Sequence, residues 1–517
     1  EYVNSIIESV QWLGFDWSQP GNDKPYQASD YFDFMYRAAE YLIEAGYAYV
    51  DEQTAEQMRL SRGDFSKPGV DSPFRSRTPA ENLARFREMQ RGLHEDGSMV
   101  LRAKIDMASA NINLRDPAIY RIRRATHHNT GDKWCIYPMY TFAHPIEDAL
   151  EQITHSLCTL EFEDQRPFYD WLLQRLREET TLPDGRVVGG LLSAPPPRQY
   201  EFARLNLTYV ITSKRKLAQL VYDHKVNGWD DPRMPTIVGL RRRGYTPASL
   251  QMFAERIGVT KSDSWIDYAT LEGCLREDLE LKAHRGMAVL NPVKLVLTNW
   301  DAEFGAGHLE PCTQPALPNV PEGTEASPAR HFSMGKEVWI ERTDYEEVPP
   351  KGYKRLYPPR PGADGQMQPG NKVRLKGGYV IECTGATKDA DGHITEVLAT
   401  VIPGTKSGTP GADSVKAKAA ITWVGVADGV QAEVRIYDRL FLDAQPDAGG
   451  KDFIDSLNPD SLKVVTAIVE PSLAQAQPDD KFQFERHGYF VADRVDHVQG
   501  TTPVFNLAVG LKDSWGK

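Results

Sequence analysis

Near residue 290 the sequence changes texture, and that change limits the available folds more than any other feature. Before it, helical and strand periodicities alternate. After it, two stretches rich in Pro and Gly, 302–328 and 357–370, separate short strand-like runs at 338–340, 372–375, 379–381, 394–401 and 421–424. Gly377-Gly378 and Asp391-Gly392 are hairpin signals, because glycine supplies the positive φ that tight β turns need. Short strands with such frequent turns predict β-barrels. The chain is therefore expected to be multidomain, an α/β part followed by a β part, without internal repeats.

The first part carries clear helix signals. Val3, Ile6, Ile7, Val10 and Leu13 share one face of a predicted amphipathic helix that Gly14 can end. A second helix is expected from Asp30, with Phe34, Ala38, Tyr41, Leu42 and Ala45 inward and Gly46 as the stop. Thr78-Pro79-Ala80-Glu81 is a capping box with proline at the first helical position, and Leu83 and Phe86 continue that helix to Gly92. Leu101, Ala103 and Ile105 alternate with Arg102, Lys104 and Asp106, which predicts a half-buried strand. Thr246-Pro247 opens a further helix through Leu250, Phe253, Ala254 and Ile257, closed by Gly258; residues 211–283 read as mostly helical.

Composition sets the outer bounds. At about 150 residues per domain, 517 residues imply three or four domains. No apolar run approaches the roughly 20 residues needed to span a bilayer. The five cysteines (Cys135, Cys158, Cys274, Cys312 and Cys383) are scattered and form no C-x-x-C pair, which argues against a disulfide framework or a cysteine zinc site and fits a reducing cytoplasm. The net charge of −12 discourages a nucleic-acid partner. Binding nevertheless answers to local patches, and basic clusters occur at 121–124, 214–216 and 241–243.

The segment 204–217 concentrates chemistry. An apolar β-branched run ends in Thr212-Ser213-Lys214-Arg215-Lys216, placing three cations and two hydroxyls on a loop after an expected strand. Hydroxyls and backbone N–H groups can bind phosphate oxygens, and a flexible lysine can follow charge onto a leaving pyrophosphate. By itself the run also fits a solvated basic turn. Four other stretches bear on it: 133–144, crowded with aromatics and His144; 153–164, where Cys158 reads as a buried small residue rather than a nucleophile; 197–205; and 228–237, followed by Arg241-Arg242-Arg243, placed for phosphates.

Together with the Thr-Ser-Lys loop, these stretches closely resemble class I glutaminyl-tRNA synthetases, of the glutamyl/glutaminyl subfamily. The resemblance runs along nearly the whole chain, through 101–107, 229–235 and Phe482-Gln483-Phe484-Glu485-Arg486. It implies a Rossmann-type α/β catalytic domain with an inserted acceptor-stem-binding domain, a helical subdomain and two C-terminal anticodon-binding β-barrels. The boundaries expected are 1–28 and 140–210 for the catalytic domain, 29–139 for the insertion, 211–283 for the loop and helical subdomain, and 284–517 for the barrels. The implied reaction is ATP-dependent attachment of L-glutamine to tRNA(Gln) through a glutaminyl adenylate, with Mg²⁺ accompanying ATP. A monomer in the cytoplasm is expected, with no structural zinc and no membrane partner.

Residue by residue, Ser213 and Lys214 resemble the catalytic pair of the family's Met-Ser-Lys loop, with Thr212 in place of Met. Thr159, Arg204 and Leu205 join those three as expected ATP contacts. Tyr140 resembles the tyrosine that hydrogen-bonds the glutamine amide, with His144, Cys158 and Gln199 in the same pocket. For tRNA, Asp164 resembles the carboxylate that reads the acceptor stem, which can accept from guanine N2–H in the minor groove. Residues 260–274, including Thr260, Lys261 and Cys274, match a tRNA-contacting segment, and Arg285, Gln483, Glu485 and Arg486 match contacts to splayed anticodon bases.

Two departures stand out. The family's His-Ile-Gly-His motif is absent, and His127-His128 is not that motif because it lacks the glycine-rich strand–turn context. Since Glu1 is not a start residue, an upstream segment is expected, and the chain as it stands is expected to aminoacylate poorly. The stretch 178–191, with Pro183-Asp184-Gly185, reads as a hydrophilic insertion hairpin. Two alternatives stay open. In a β-barrel-type glutamyl-tRNA synthetase the substrate carboxylate would need a cation, commonly an arginine where Cys158 stands, because a buried carboxylate facing a neutral thiol would be unpaired. In a non-catalytic tRNA-binding protein of synthetase descent, a leaving-group lysine at Lys214 would have no use.

Overall fold

The computed structural model describes residues 2–17, 24–318, 320 and 327–515. The chain divides into two compact units, Asp16–Asn206 with Val259–Ser264, and Glu1–Phe15 with Leu207–Gly258 and Trp265–Lys517.

The first unit is built on a four-stranded antiparallel sheet, Ala48–Asp51, Val100–Ala103, Ala118–Ile122 and Ile136–Pro138, paired in chain order. Helices Phe32–Glu44 and Pro79–Gln90 share its core, which includes Met35, Leu42, Phe86, Leu101 and Tyr120. The second of these helices opens with the expected capping box, Thr78 accepting from the Glu81 N–H while Glu81 bonds back to Thr78. Arg102 departs from the alternation expected of its strand. It is buried beside Asp51, donates to that carboxylate at 2.7 Å, and also donates to the backbone carbonyls of Asp116 and Arg115. A charged residue is stable there because both its charge and its donors are matched.

Helix Tyr140–Leu150 then leads to a parallel pair of strands, His155–Thr159 and Arg198–Phe202, with helix Arg166–Arg177 between them in sequence. The expected insertion hairpin is present as Glu179–Thr181 paired with Val187–Gly189, turning through Gly185 at φ +84°.

In the second unit, helix Tyr2–Trp12 forms as its periodicity predicts, yet none of its described residues is buried. It is held by Arg241, which pairs with Glu8 at 3.1 Å and lies over the Trp12 ring. Helices Lys214–Tyr222, Ile237–Arg243, Pro247–Ile257 and Tyr268–Lys282 fill the region read as helical. The segment before them differs from expectation. Only Asn206–Leu207 is strand, and Lys214 starts a helix with Ser213 at its N-cap. The 241–243 run is not a phosphate-facing track either. Arg242 is buried and donates to Asp493, Asp230 and Asp496, and buried Arg243 donates to the carbonyls of Tyr437, Asp438 and Ala508.

After residue 283 come two seven-stranded sheets. One runs in the order Ala420–Ile421, Lys372–Leu375, Val380–Lys388, Ile394–Val401, Pro292–Leu297, Glu337–Glu341, Trp423–Gly425. Its first and last strands are separated by Thr422 alone, so one continuous segment crosses from edge to edge and nearly closes the sheet. The other runs His284–Gly286, Lys481–Phe484, Gly488–Ala492, Val504–Gly510, Val430–Tyr437, Leu462–Val469, Ala288–Val289, and its edges meet across Met287. Closure removes the free edges that would otherwise template pairing with another chain. These are the expected β-barrels.

Candidate active site

Strand periodicity sets out one half of the site. Successive strand residues face opposite ways, so Ser156 and Cys158 share a face, as do their neighbours Gln199 and Glu201, with Ser156 paired to Gln199 and Cys158 to Glu201. Helix Tyr140–Leu150 meets that face through His144, whose Nε2 lies 3.0 Å from Ser156 Oγ and 3.0 Å from Asp148 Oδ2. Tyr169 donates its hydroxyl to Asp148 at 2.8 Å. Burial raises the Asp148 carboxyl, but hydrogen bonds from His144 and Ser156 outweigh it and the net shift is downward. Tyr140, one turn before His144, stacks on the imidazole at 5.3 Å between centroids and tilts against Phe162 at 5.7 Å.

Gln199 is buried, and its Nε2 donates to the Phe162 carbonyl and to Glu201 Oε1, both at 3.0 Å. Glu201 accepts from Arg166 Nε at 2.8 Å and Nη2 at 3.0 Å, and from Lys261 at 3.2 Å; Lys261 also pairs with Glu163 at 2.7 Å. The Cys158 thiol is half-buried, not fully buried as expected, and lies 3.8 Å from the Tyr200 carbonyl. Burial and then the charge of Glu201 push its pKa up, so it stays a neutral thiol. The face thus combines an amphipathic phenol, a neutral thiol, a fixed amide and a cluster in which Glu163 and Glu201 pair with Arg166 and Lys261.

Thr159 ends its strand, and Arg204 and Leu205 follow the end of the neighbouring strand, both exposed. They lie where ligands of α/β sheets bind, beyond the carboxyl ends of parallel strands. In the other unit, Thr212 and Lys214 are exposed, and Lys214 Nζ sits 4.5 Å from the Tyr2 ring centroid. Ser213, at the N-cap of the Lys214–Tyr222 helix, makes no side-chain capping bond among the described residues. Lys216 is tied to Asp447 at 2.7 Å.

Comparison with known proteins decides the family. Residues 1–281 match the family described as "tRNA synthetases class I (E and Q), catalytic domain", and residues 283–402 and 420–493 match the two corresponding anti-codon binding domains. The chain belongs to the class I glutamate and glutamine tRNA synthetases. It is 60% identical over 517 residues to the glutamine--tRNA ligase of Ralstonia pickettii, covering 100% of this chain and 84% of that protein. To the Bordetella pertussis glutamine--tRNA ligase it is 57% identical over 515 residues, covering 100% of this chain and 82% of that protein. In family terms the two β-barrels are the anticodon-binding domains, and the family uses ATP.

The candidate tRNA contacts of this synthetase fall into separate places. Asp164 is exposed, and its backbone carbonyl is held by the side-chain amides of Asn111 at 2.8 Å and Asn113 at 3.2 Å. Thr260 accepts the Ala203 N–H at 2.7 Å, while Lys261 is engaged by Glu163 and Glu201. Cys274 requires a correction: it is fully buried in the core of helix Tyr268–Lys282, so it packs rather than touches a partner. Arg285, Gln483, Glu485 and Arg486 gather where strand His284–Gly286 pairs with Lys481–Phe484, Arg285 opposite Gln483. Glu485 is buried and paired with Arg330 and Lys376, and Arg486, at φ +74°, grips Asp344 at 2.7 and 2.8 Å. Arg285 Nη1 is buried without a hydrogen-bond partner among the described residues.

Sequence reasoning assigned nothing to Asp148, Ser156, Arg166 or Glu201. For Glu201 a signal existed, since it stands two positions after Gln199 on a strand and therefore shares its face.

Proposed function

We infer that this synthetase is a glutamine--tRNA ligase, joining L-glutamine to tRNA(Gln) with ATP. What supports the choice of amino acid is the neutral Cys158 thiol in a face whose two cations are already paired. A glutamate side chain there would lack a free counter-charge, whereas a carboxamide needs only hydrogen bonds. Tyr140, His144, Cys158 and Gln199 form the glutamine pocket in this reading, and Thr159, Arg204, Leu205, Thr212, Ser213 and Lys214 serve ATP. Mg²⁺ arrives on the triphosphate.

The glutamine carboxylate attacks the α-phosphorus, a new C–O–P link forms, and pyrophosphate departs with the electrons of the broken P–O bond. The first-turn N–H groups of the helix at Ser213 and the Lys214 ammonium stabilise charge that moves onto the leaving oxygens. The terminal ribose 2′-hydroxyl then attacks the acyl carbon and AMP leaves. Each step relies on positioning and electrostatics. In this reading Asp164, Thr260 and Lys261 serve the acceptor stem, and Arg285, Gln483, Glu485 and Arg486 the anticodon. The domain limits 1–28, 29–139, 140–210, 211–283 and 284–517, a monomeric state and a cytoplasmic setting complete the proposal. Competing glutamine against glutamate in charging of tRNA(Gln) tests it: preference for glutamine is expected, and preference for glutamate would overturn it.

A further inference from the structure

We propose that Glu201 is a positioning residue that sets the choice of glutamine over glutamate, by locking Gln199 as a hydrogen-bond acceptor and by occupying the cations Arg166 and Lys261. The inference rests on the reading of Tyr140, Cys158 and Gln199 as the glutamine pocket.

The locking follows from counting donors. A side-chain amide carries two N–H donors on nitrogen and acceptor capacity on oxygen alone. Both Nε2 hydrogens of Gln199 are used, one by the Phe162 carbonyl and one by Glu201 Oε1, each at 3.0 Å. Neither partner can donate, so turning the amide over would set Oε1 against two oxygens in a buried site. What Gln199 can still offer a substrate is therefore an acceptor. A carboxamide N–H satisfies it. A carboxylate oxygen would meet it as lone pair against lone pair.

The charge argument runs the same way. The Glu201 side chain is 1% exposed and takes the Arg166 guanidinium through two bonds and the Lys261 ammonium through one. Burial raises its carboxyl, but donation by Gln199, Lys261 and Arg166 prevails, and it is held below the usual carboxylate range. Glu163 takes the remaining reach of Lys261 at 2.7 Å and approaches Arg166 at 3.4 Å. A glutamate side chain would have to displace a buried carboxylate to find a cation.

Replacing Glu201 by Gln weakens both devices. One cation loses its counter-charge, and residue 201 can donate as well as accept, which leaves the Phe162 carbonyl as the one remaining partner that holds Gln199 in its acceptor orientation. The test measures kcat/KM for glutamine and for glutamate in charging of tRNA(Gln), using the intact protein, Glu201→Gln and Glu201→Asp, with thermal melting alongside. The expected result is a fall of about 10–100-fold in the glutamine-to-glutamate ratio for Glu201→Gln, carried partly by a rise in kcat/KM for glutamate. Glu201→Asp keeps the charge but withdraws from Gln199, and should lower the ratio by about threefold while retaining most activity with glutamine. If Glu201→Gln fails to fold, the aspartate variant carries the test, and an unchanged ratio overturns the proposal. Equal losses with both amino acids would mark Glu201 as merely structural. Glutamate preference in the unaltered protein would instead overturn the pocket reading itself.

Discussion

Tyr140→Phe isolates one oxygen atom. The ring would keep its stack on His144 at 5.3 Å and its contact with Phe162 at 5.7 Å. The hydroxyl makes no hydrogen bond to another described residue, and Tyr140 is 57% exposed. Folding stability should therefore stay within about 0.5 kcal/mol of the parent. The loss should fall on substrate. Removing a neutral hydrogen bond costs about 0.5–1.5 kcal/mol, and leaving a polar group unpaired in a closed pocket costs about 1–3 kcal/mol. At about 1.4 kcal/mol per decade, kcat/KM for glutamine should fall roughly 3- to 100-fold. Because a phenol both donates and accepts, the ratio between glutamine and glutamate should move less than it does in Glu201→Gln. The phenol pKa is raised by burial first and by Cys158 next, so the effect should not depend on pH in the neutral range. The assay is charging of tRNA(Gln) across glutamine concentrations, with a thermal melt as control. An unchanged kcat/KM with an unchanged melt would refute the assignment of Tyr140 to the substrate amide.

Three further outcomes are expected. Lys214→Ala should lower the rate of ATP–pyrophosphate exchange by about 100- to 1000-fold, as loss of one charge-stabilising donor does, while a melt of the same variant stays unchanged because Lys214 is exposed. Asp493→Ala should cost about 3 kcal/mol by denaturant unfolding, toward the low end for a broken buried pair, because Arg242 retains Asp230 and Asp496 at 3.0 Å each. Acid should destabilise the fold below about pH 4. Asp148, Asp231 and Asp493 all have folded pKa values depressed by hydrogen bonds and paired charge against the opposing effect of burial. Their contribution is complete above the unfolded carboxylate pKa and is lost as pH falls through the lower folded values; Asp493→Asn should flatten that slope in a pH series of unfolding midpoints.

What could be read from the sequence and what could not divides by distance along the chain. The Thr78 capping box, the Gly185 turn and the strand runs at 338–340, 372–375 and 394–401 follow from neighbours within a few positions, and all are present. Arg102 and Arg242 look outward-facing from local pattern alone, because what turns them inward lies far off: Asp51 for one, Asp493 and Asp496 for the other. The pocket falls between these cases. Tyr140 and His144 are four apart on a helix, and Gln199 and Glu201 two apart on a strand, so each pair shares a face by local geometry alone. The parallel register then sets Cys158 beside Glu201, and Lys261 arrives from a segment 60 residues further on. The neutral thiol that argues for a carboxamide substrate can be read locally. The carboxylate that keeps two nearby cations from serving glutamate emerges only when three distant segments meet, and specificity of this kind is held in the pairing of charges rather than in the residue types themselves.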